Sequence, residues 1–343
     1  MQILTNCLQG HDDEGGIKVA RKIVQEIRRC SPETKLYTYG GEAAAGDGHL
    51  QLNKMMLNLK LARLLRGSKE HLLYAPQYAR MLPMALRTLV LSIYARGQVN
   101  VLLPMCFAPG KAARWMLKLS RARLFVLSHD SWEMMRAATE NEVCYVKAGV
   151  DMNRFHPVDQ ARKRQLREKY GFKPEQKIVL HVGHLTFGRN VRTMLSLSGE
   201  YQAVLVASTR TRDVWDAELS QRMQSGSTAI RLIDSYLPNI EEIYQAADVY
   251  FFPVEEAGRC IDSPISVLEA AACDLPIVTT PYGEVKQLLG REGIHAVNSL
   301  DKETVDSAIR KALETKTGAR NAVCGYDWQT AAAGIMELID GEK

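Results

Sequence analysis

The sequence predicts an α/β protein of two doubly wound domains, each a parallel sheet covered by helices on both faces. Three observations carry this expectation. Short apolar stretches suited to buried strands alternate with helical stretches along the whole chain, as parallel sheets with helical crossovers require. The alternation pauses once, at the polar, proline-containing link Asp151 to Asp159, and then starts again. A length of 343 residues exceeds one ordinary core and suits two. The expected domains are 1–155 and 156–325.

The elements follow in order. Ile3 to Leu8 reads as the first strand, followed by the loop Gln9 to Gly16. The next helix has Ile17, Ala20, Ile23, Val24 and Ile27 at helical spacing. Lys35 to Tyr39 suits a second strand and Gly40 to Gly48 a loop. Leu72 to Pro76, Val99 to Leu103 and Leu124 to Leu127 suit further buried strands. Beyond the link, strands are expected at Ile178 to Val182, Ala203 to Ala207, Ile230 to Ile233, Val249 to Phe252 and Ile277 to Thr279. A last helix, Trp328 to Ile339, follows a break at Gly325.

The most specific stretch is Ile230 to Glu284. A helix (Asn239 to Ala247) and a buried strand (Asp248 to Pro253) precede a polar loop. A second helix then opens at Ser263-Pro264 and carries Val267-Leu-Glu-Ala-Ala-Ala272. It starts at the carboxyl end of a strand, where open α/β sheets bind ligands. Its free N–H groups and dipole suit a diphosphate. Glu269, a carboxylate in an apolar stripe, needs a partner if buried, and ribose hydroxyls would provide one. The adjacent Gly15 and Gly16 let the backbone approach a ligand, or simply make a tight turn.

These residues resemble the donor-binding half of retaining glycosyltransferases of family 4. The Asp248–Pro253 strand, the acidic loop, Pro264-Ile-Ser-Val-Leu-Glu-Ala270 and Pro276-Ile-Val-Thr-Thr280 follow that family's order. Lys147-Ala-Gly-Val-Asp-Met-Asn-Arg-Phe-His-Pro157 is similar to the run that ends the family's first domain. Val179-Leu-His-Val-Gly-His-Leu-Thr-Phe-Gly-Arg-Asn190 is similar to the strand and loop that open its second. The resemblance implies the GT-B fold: two Rossmann-like, doubly wound parallel-sheet domains facing a cleft, with the C-terminal helix (326–343) crossing back to the first. Hinges are then expected near Asp151 to Asp159 and before Trp328.

It also implies a set of donor contacts. Gly15 and Gly16 would face the donor phosphates. Arg189 would neutralise the diphosphate, since a guanidinium forks onto phosphate oxygens. His184 stands where the family has an arginine, and can donate one hydrogen bond. Ile265 and Ser266 would give backbone N–H groups, and Glu269 would hold the ribose. The family's other motif carboxylate falls on Ile261, so Asp262, one residue on, is the candidate to touch sugar hydroxyls and take a catalytic role. Many relatives carry a histidine after the fourth strand of the first domain. Here that position, within Leu102 to Phe107, has none. His129-Asp130 is an alternative acid/base pair, although Ser128 to Ser131 equally suits a helix cap. No metal and no cofactor are expected beyond the nucleotide diphosphate sugar. His11-Asp12-Asp13-Glu14 leaves a metal or acceptor contact open beside a plain solvated loop.

Charge is distributed unevenly. Lys54 to Leu127 holds thirteen Lys and Arg against one acid, Glu70, which leaves 31 basic and 38 acidic residues elsewhere. Lys54 to Arg66 and Lys111 to Arg123 suit basic amphipathic helices. They would meet an anionic membrane or a phosphate-bearing acceptor, or simply form solvated faces. No nucleic-acid motif accompanies them.

Seven cysteines without a Cys-x-x-Cys pair read as reduced thiols of a cytosolic protein. No apolar run spans a membrane, and no signal peptide is expected. The resulting expectation is a cytoplasmic, metal-independent retaining glycosyltransferase, peripheral at the inner membrane face, with an unidentified acceptor. Two alternatives stand beside it. One is a GT-B nucleotide-sugar-binding scaffold without turnover. The other is a nicotinamide dehydrogenase, whose G-x-G-x-x-G fingerprint is absent.

Overall fold

The computed structural model describes residues 1–6, 8, 14–40, 46–76, 80–96, 98–172, 175–208, 215–224, 230–315 and 318–341. The chain forms two compact units. The first comprises Met1–Gly149, Ile261–Ser263 and Trp328–Lys343, and the second Val150–Cys260 and Pro264–Asp327.

The first unit has seven strands: β1 (Gln2–Thr5), β2 (Lys35–Tyr39), β3 (Gly48–Leu50), β4 (Leu72–Ala75), β5 (Val99–Leu103), β6 (Arg123–Val126) and β7 (Val143–Tyr145). They stand in the order β3-β2-β1-β4-β5-β6-β7, and every neighbouring pair is parallel. The helices are α1 (Gly15–Cys30), α2 (Leu59–Arg66), α3 (Met81–Tyr94), α4 (Lys111–Ser120) and α5 (His129–Ala138). Right-handed crossovers fix their faces. The step from β1 to β2 runs one way along the sheet and puts α1 on one face. The steps β3 to β4, β4 to β5, β5 to β6 and β6 to β7 run the other way and put α2 to α5 on the opposite face. Accordingly α2 packs on α3 and α3 on α4.

The second unit has β8 (Lys177–Gly183), β9 (Tyr201–Ala207), β10 (Arg231–Ile233), β11 (Val249–Phe252), β12 (Ile277–Thr279) and β13 (Ile294–Ala296). Their order is β10-β9-β8-β11-β12-β13, again all parallel. Its helices are α6 (Gln160–Lys169), α7 (Ala217–Gln224), α8 (Glu241–Ala246), α9 (Ile265–Ala272), α10 (Lys302–Glu314) and α11 (Ala319–Ala322). The last helix, α12 (Trp328–Asp340), belongs to the first unit. It packs on α1, and its Leu338 carbonyl accepts from Arg123. Both sheets reverse their strand order once, between β1 and β4 and between β8 and β11. The carboxyl ends there are the topological switch points.

Several boundaries differ from expectation. The helix foreseen from Lys54 starts at Leu59. Upstream, the Asn53 side chain accepts from the N–H groups of Met55 and Leu57, and Met56 turns left-handed at φ +61°. The helix foreseen to Arg123 ends at Ser120, because Arg121 turns left-handed and Arg123 already lies in β6. Gly15 and Gly16, read as loop, form the first turn of α1. Strands β3, β7 and β13, three residues each, were not foreseen. Among the described residues no helix is long and apolar enough to cross a membrane.

Candidate functional site

The sequence candidates divide between the two units. In the second they converge on the switch point. Strand β8 ends at Gly183, whose φ of +153° is a glycine conformation. A Cβ there would lie 2.8 Å from Arg189 Nη1, so the absent side chain leaves room for the guanidinium. Arg189 is buried, 8% exposed, in a single 3-10 turn, Phe187–Arg189. Its Nε donates to the Arg259 carbonyl at 2.9 Å. Asn190 follows at φ +55°, a conformation asparagine tolerates. Its Nδ2 donates to the Pro253 carbonyl (3.2 Å) and to Glu255 (2.9 Å). The loop after β8 is thereby tied to the loop after β11. His184 lies half-buried in the same turn region.

Helix α9 starts from the other side of this switch point. Pro264 is its N-cap and gives no side-chain hydrogen bond; the Val267 N–H donates to the Pro264 carbonyl at 3.1 Å, and the N–H groups of Ile265 and Ser266 precede the first helical hydrogen bond. Ser266 hydrogen-bonds the Tyr250 hydroxyl, and that hydroxyl donates to the Val182 carbonyl at 3.3 Å. This chain links the start of α9 to the end of β8. One turn further in, Glu269 is buried and accepts from the Tyr244 hydroxyl at 3.0 Å. Tyr244 is therefore one partner of the buried carboxylate. Burial, and then the Glu269 charge, push the Tyr244 hydroxyl well above its ordinary pKa, so it stays a donor.

Beneath these loops lies a residue that the sequence reading passed over. His181 on β8 is fully buried, and its Nδ1 faces the Phe251 carbonyl at 2.9 Å. A carbonyl only accepts, so Nδ1 carries the proton and Nε2 a lone pair. No described residue hydrogen-bonds that Nε2. Burial first, and the Arg189 charge in addition, lower the imidazole pKa to about 4. The only sequence signal was one histidine in an otherwise apolar strand.

The remaining candidates lie in the first unit, each with neighbours of its own. Asp262 is buried, and its Oδ2 accepts from Ser131 Oγ (2.5 Å) and from the Cys106 N–H (3.0 Å). Its own N–H donates to the Pro104 carbonyl at 3.1 Å. These contacts tie the segment 261–263 to the end of β5 and the start of α5. Burial raises the Asp262 pKa to about 7 against the Ser131 and Cys106 donors, with the Asp130 charge adding to the rise. A carboxylate enclosed this way is an anchor of its loop, a placement the sequence reading did not foresee. His129 opens α5 with its ring 4.2 Å from that of Tyr145. Ser128 caps the helix, accepting from Ser131 N–H at 3.1 Å, as the capping reading anticipated. Gly15 abuts Ile261, whose Cδ1 would lie 2.8 Å from an added Cβ. Residues 11–13 lie outside the described residues. Among the described residues no group of three or more His, Cys, Asp and Glu is placed to hold a metal ion.

Comparison with known proteins gives these groups a context. Residues 177–315 match the family model of glycosyl transferases group 1, a stretch that lies on the second unit apart from 261–263. Mannosylfructose-phosphate synthase of Agrobacterium fabrum is 22% identical over 220 residues, which is 57% of this chain and 47% of that protein. The match thus spans about half the length of the curated relatives. A glycosyltransferase from Rickettsia africae ESF-5 superimposes with TM-score 0.76 at 13% identity, covering 99% of this chain and 98% of that one. Anabaena HepE in complex with UDP does so with TM-score 0.75 at 15% identity, covering 99% of each. The architecture is therefore that of GT-B glycosyltransferases, two Rossmann-like parallel-sheet domains.

Proposed function

We propose that this chain is a retaining glycosyltransferase of the family 4 type, moving a sugar from a nucleotide diphosphate sugar to an acceptor that remains to be identified. The observation that carries the reading is the meeting, within one unit, of the open N-terminus of α9, the Arg189 guanidinium and buried Glu269 at the β8/β11 switch point. The diphosphate would lie on the N–H groups of Ile265 and Ser266, with Arg189 as counter-charge and His184 as a further donor. Glu269 would accept from the ribose hydroxyls. A carboxylate offers about four acceptor sites, and Tyr244 takes one of them.

The leaving phosphate would take the proton of the acceptor hydroxyl on the same face of the sugar. Catalysis would then be positioning and charge stabilisation, with helix dipole and guanidinium in the place of a metal ion. The acceptor side, including the basic segment Lys54 to Arg123, would work at an anionic membrane surface on the cytoplasmic side. UDP is the first nucleotide to test, since the neighbouring HepE structure holds it.

Calorimetric titration with UDP and with a panel of nucleotide sugars tests the site. Glu269→Gln and Arg189→Ala each remove a charge-assisted contact worth ~1.5–3 kcal/mol, so roughly ten- to a hundredfold weaker binding is expected. Wild-type affinity in both folded variants would refute the placement. A second reading, a donor-binding scaffold without turnover, draws on the enclosure of Asp262. Slow hydrolysis of a bound donor would dismiss it.

A further inference from the structure

The outer face of the first unit departs from what a water-facing helix layer requires. Helices α2, α3 and α4 pack side by side on the face opposite α1 and α12. In α3, Met81, Met84, Ala85, Thr88 and Leu91 turn inward and are buried. Leu82, Leu86, Leu89 and Ile93, at i, i+4, i+7 and i+11, form a stripe on another side. Both ends of that stripe are open: Leu82 is 51% and Ile93 57% exposed. A surface helix normally carries polar residues there.

On the neighbouring α4, Ala113, Leu117 and Ser120 are buried, while Trp115 is 61% and Leu119 50% exposed. Of ten large apolar side chains exposed among the described residues, seven fall between Met55 and Leu119. Among the described residues the exposed large apolar side chains are therefore concentrated in this segment, five of them on α2, α3 and α4.

Charge selects what covers it. The same segment carries thirteen cations and one acid. Eleven of these cations are exposed; Arg87 is half-buried and Arg123 buried. Lys118 and Arg123 are paired to Glu140 and Glu142 at 2.7 and 2.8 Å. On α4, Lys111 and Lys118 sit at i−4 and i+3 of Trp115, so cations border the indole. A second copy of this face would meet it with like charge. A nucleic-acid backbone would satisfy the cations but not four aliphatic side chains. A bilayer rich in anionic phospholipid satisfies both, with phosphates for the cations and an acyl boundary for the apolar stripe. Tryptophan favours that interface, and long cationic side chains reach from apolar surface to phosphate.

We infer that the α2–α4 face of the first unit is a monotopic membrane-docking surface. The α3 stripe with Trp115 and Leu119 enters the headgroup–acyl boundary, and the surrounding lysines and arginines bind lipid phosphates. This deepens the reading of the basic segment given above and rests on it. It adds insertion to attraction, as an amphipathic helix lying in the interface does.

Co-sedimentation of the full chain with vesicles tests it, using phosphatidylcholine alone or mixed with phosphatidylglycerol, at low and physiological salt. Binding is expected on the anionic vesicles and should weaken with salt. Tryptophan emission should be quenched by lipids brominated on the acyl chain, and Trp115→Phe should remove that quenching. The combined variant Leu82→Ser, Ile93→Ser and Leu119→Ser alters exposed positions only, and should bind roughly tenfold or more weakly, since less apolar area is buried in the interface.

Anionic binding without acyl quenching, and unchanged in the serine variant, would overturn insertion while the charge reading stood. No binding to either vesicle would overturn both. Equal retention on RNA or on an acidic polypeptide would overturn the lipid as occupant. None of these outcomes bears on nucleotide-sugar binding by the second unit, which UDP titration reads separately.

Discussion

The two units carry the same sheet plan and use it differently. In the second, the β8/β11 switch point gathers a helix start without a side-chain cap, a guanidinium and a buried carboxylate that accepts from Tyr244. In the first, the groups between β5 and α5 close on one another: Asp262 takes two donors and Ser128 caps α5. Two buried carboxylates of one stretch thus have different surroundings. What separates Glu269 from Asp262 is the set of groups around each, and only Glu269 sits one turn inside an open helix N-terminus.

The largest expected effect uses the opposite titrations of the two units. The Asp262 carboxyl, ordinarily near 4, is raised to about 7. The folded state thus keeps a proton that the unfolded chain loses. That stabilisation is full below pH ~4 and is lost as pH rises through about 7. His181, ordinarily near 6.5, is lowered to about 4. Its contribution is full above pH ~6.5 and is lost as pH falls through about 4. A tenfold difference in proton affinity between the folded and unfolded states corresponds to about 1.4 kcal/mol. The two trends oppose each other between pH ~4 and ~7. Asp262→Asn keeps an acceptor for Ser131 and Cys106 and removes one trend. We expect it to match wild type near pH 4 and to be more stable at pH 8, by up to a few kcal/mol, in urea denaturation. An equal change at both pH values would mean that Asp262 is charged throughout.

Next in size is Gly183→Ala. Its φ of +153° and the 2.8 Å approach to Arg189 Nη1 leave no place for a methyl group without moving the guanidinium. A loss of ~1–3 kcal/mol in stability is expected from backbone strain, together with weaker UDP binding. Unchanged UDP affinity would separate Arg189 from the diphosphate.

These positions also show what a sequence can and cannot display. Alternating apolar runs revealed the sheets, because strand and helix periods are local. Gly183 and Arg189 stood at a motif spacing, and the start of α9 was marked by Pro264. Strands of three residues, such as β3 and β7, are too short for a period to register. Asp262 finds Cys106 and Ser131 at separations of 156 and 131 residues, which no local pattern encodes. His181 read as one histidine among valines and leucines, because its state depends on the carbonyl opposite and on its depth. The α3 stripe was hidden for another reason: apolar residues on every side of a helix look alike until one side is found open.

A smaller effect is expected at the start of α5. Ser128→Ala removes a cap contact and should cost ~1 kcal/mol without changing turnover. His129→Ala should likewise keep turnover, since the ring rests on Tyr145 and the cap accounts for the local sequence. A loss of kcat in His129→Ala, with KM and stability preserved, would support the acid/base reading and give the first unit a chemical role.

The smallest effect belongs to Gly15→Ala, the counterpart of Gly183→Ala in the first unit. Both glycines face an atom 2.8 Å from an added Cβ, yet the consequences differ. Gly15 is absent from the positive-φ glycines that include Gly183, and it begins α1, where alanine favours the helix by up to ~1 kcal/mol in an interior position and less at an end. Its neighbour is Ile261 Cδ1, the far end of a side chain that can rotate away, whereas Gly183 meets a buried guanidinium. The helix gain and the displaced methyl group should nearly cancel, within ~0.5 kcal/mol, and UDP affinity should stay within about twofold, a change of ~0.4 kcal/mol. A tenfold loss of UDP affinity with unchanged stability would show that a phosphate approaches the backbone of Gly15 and Gly16. The first unit would then share the donor, and the contrast between the two sheets would narrow to Asp262 alone.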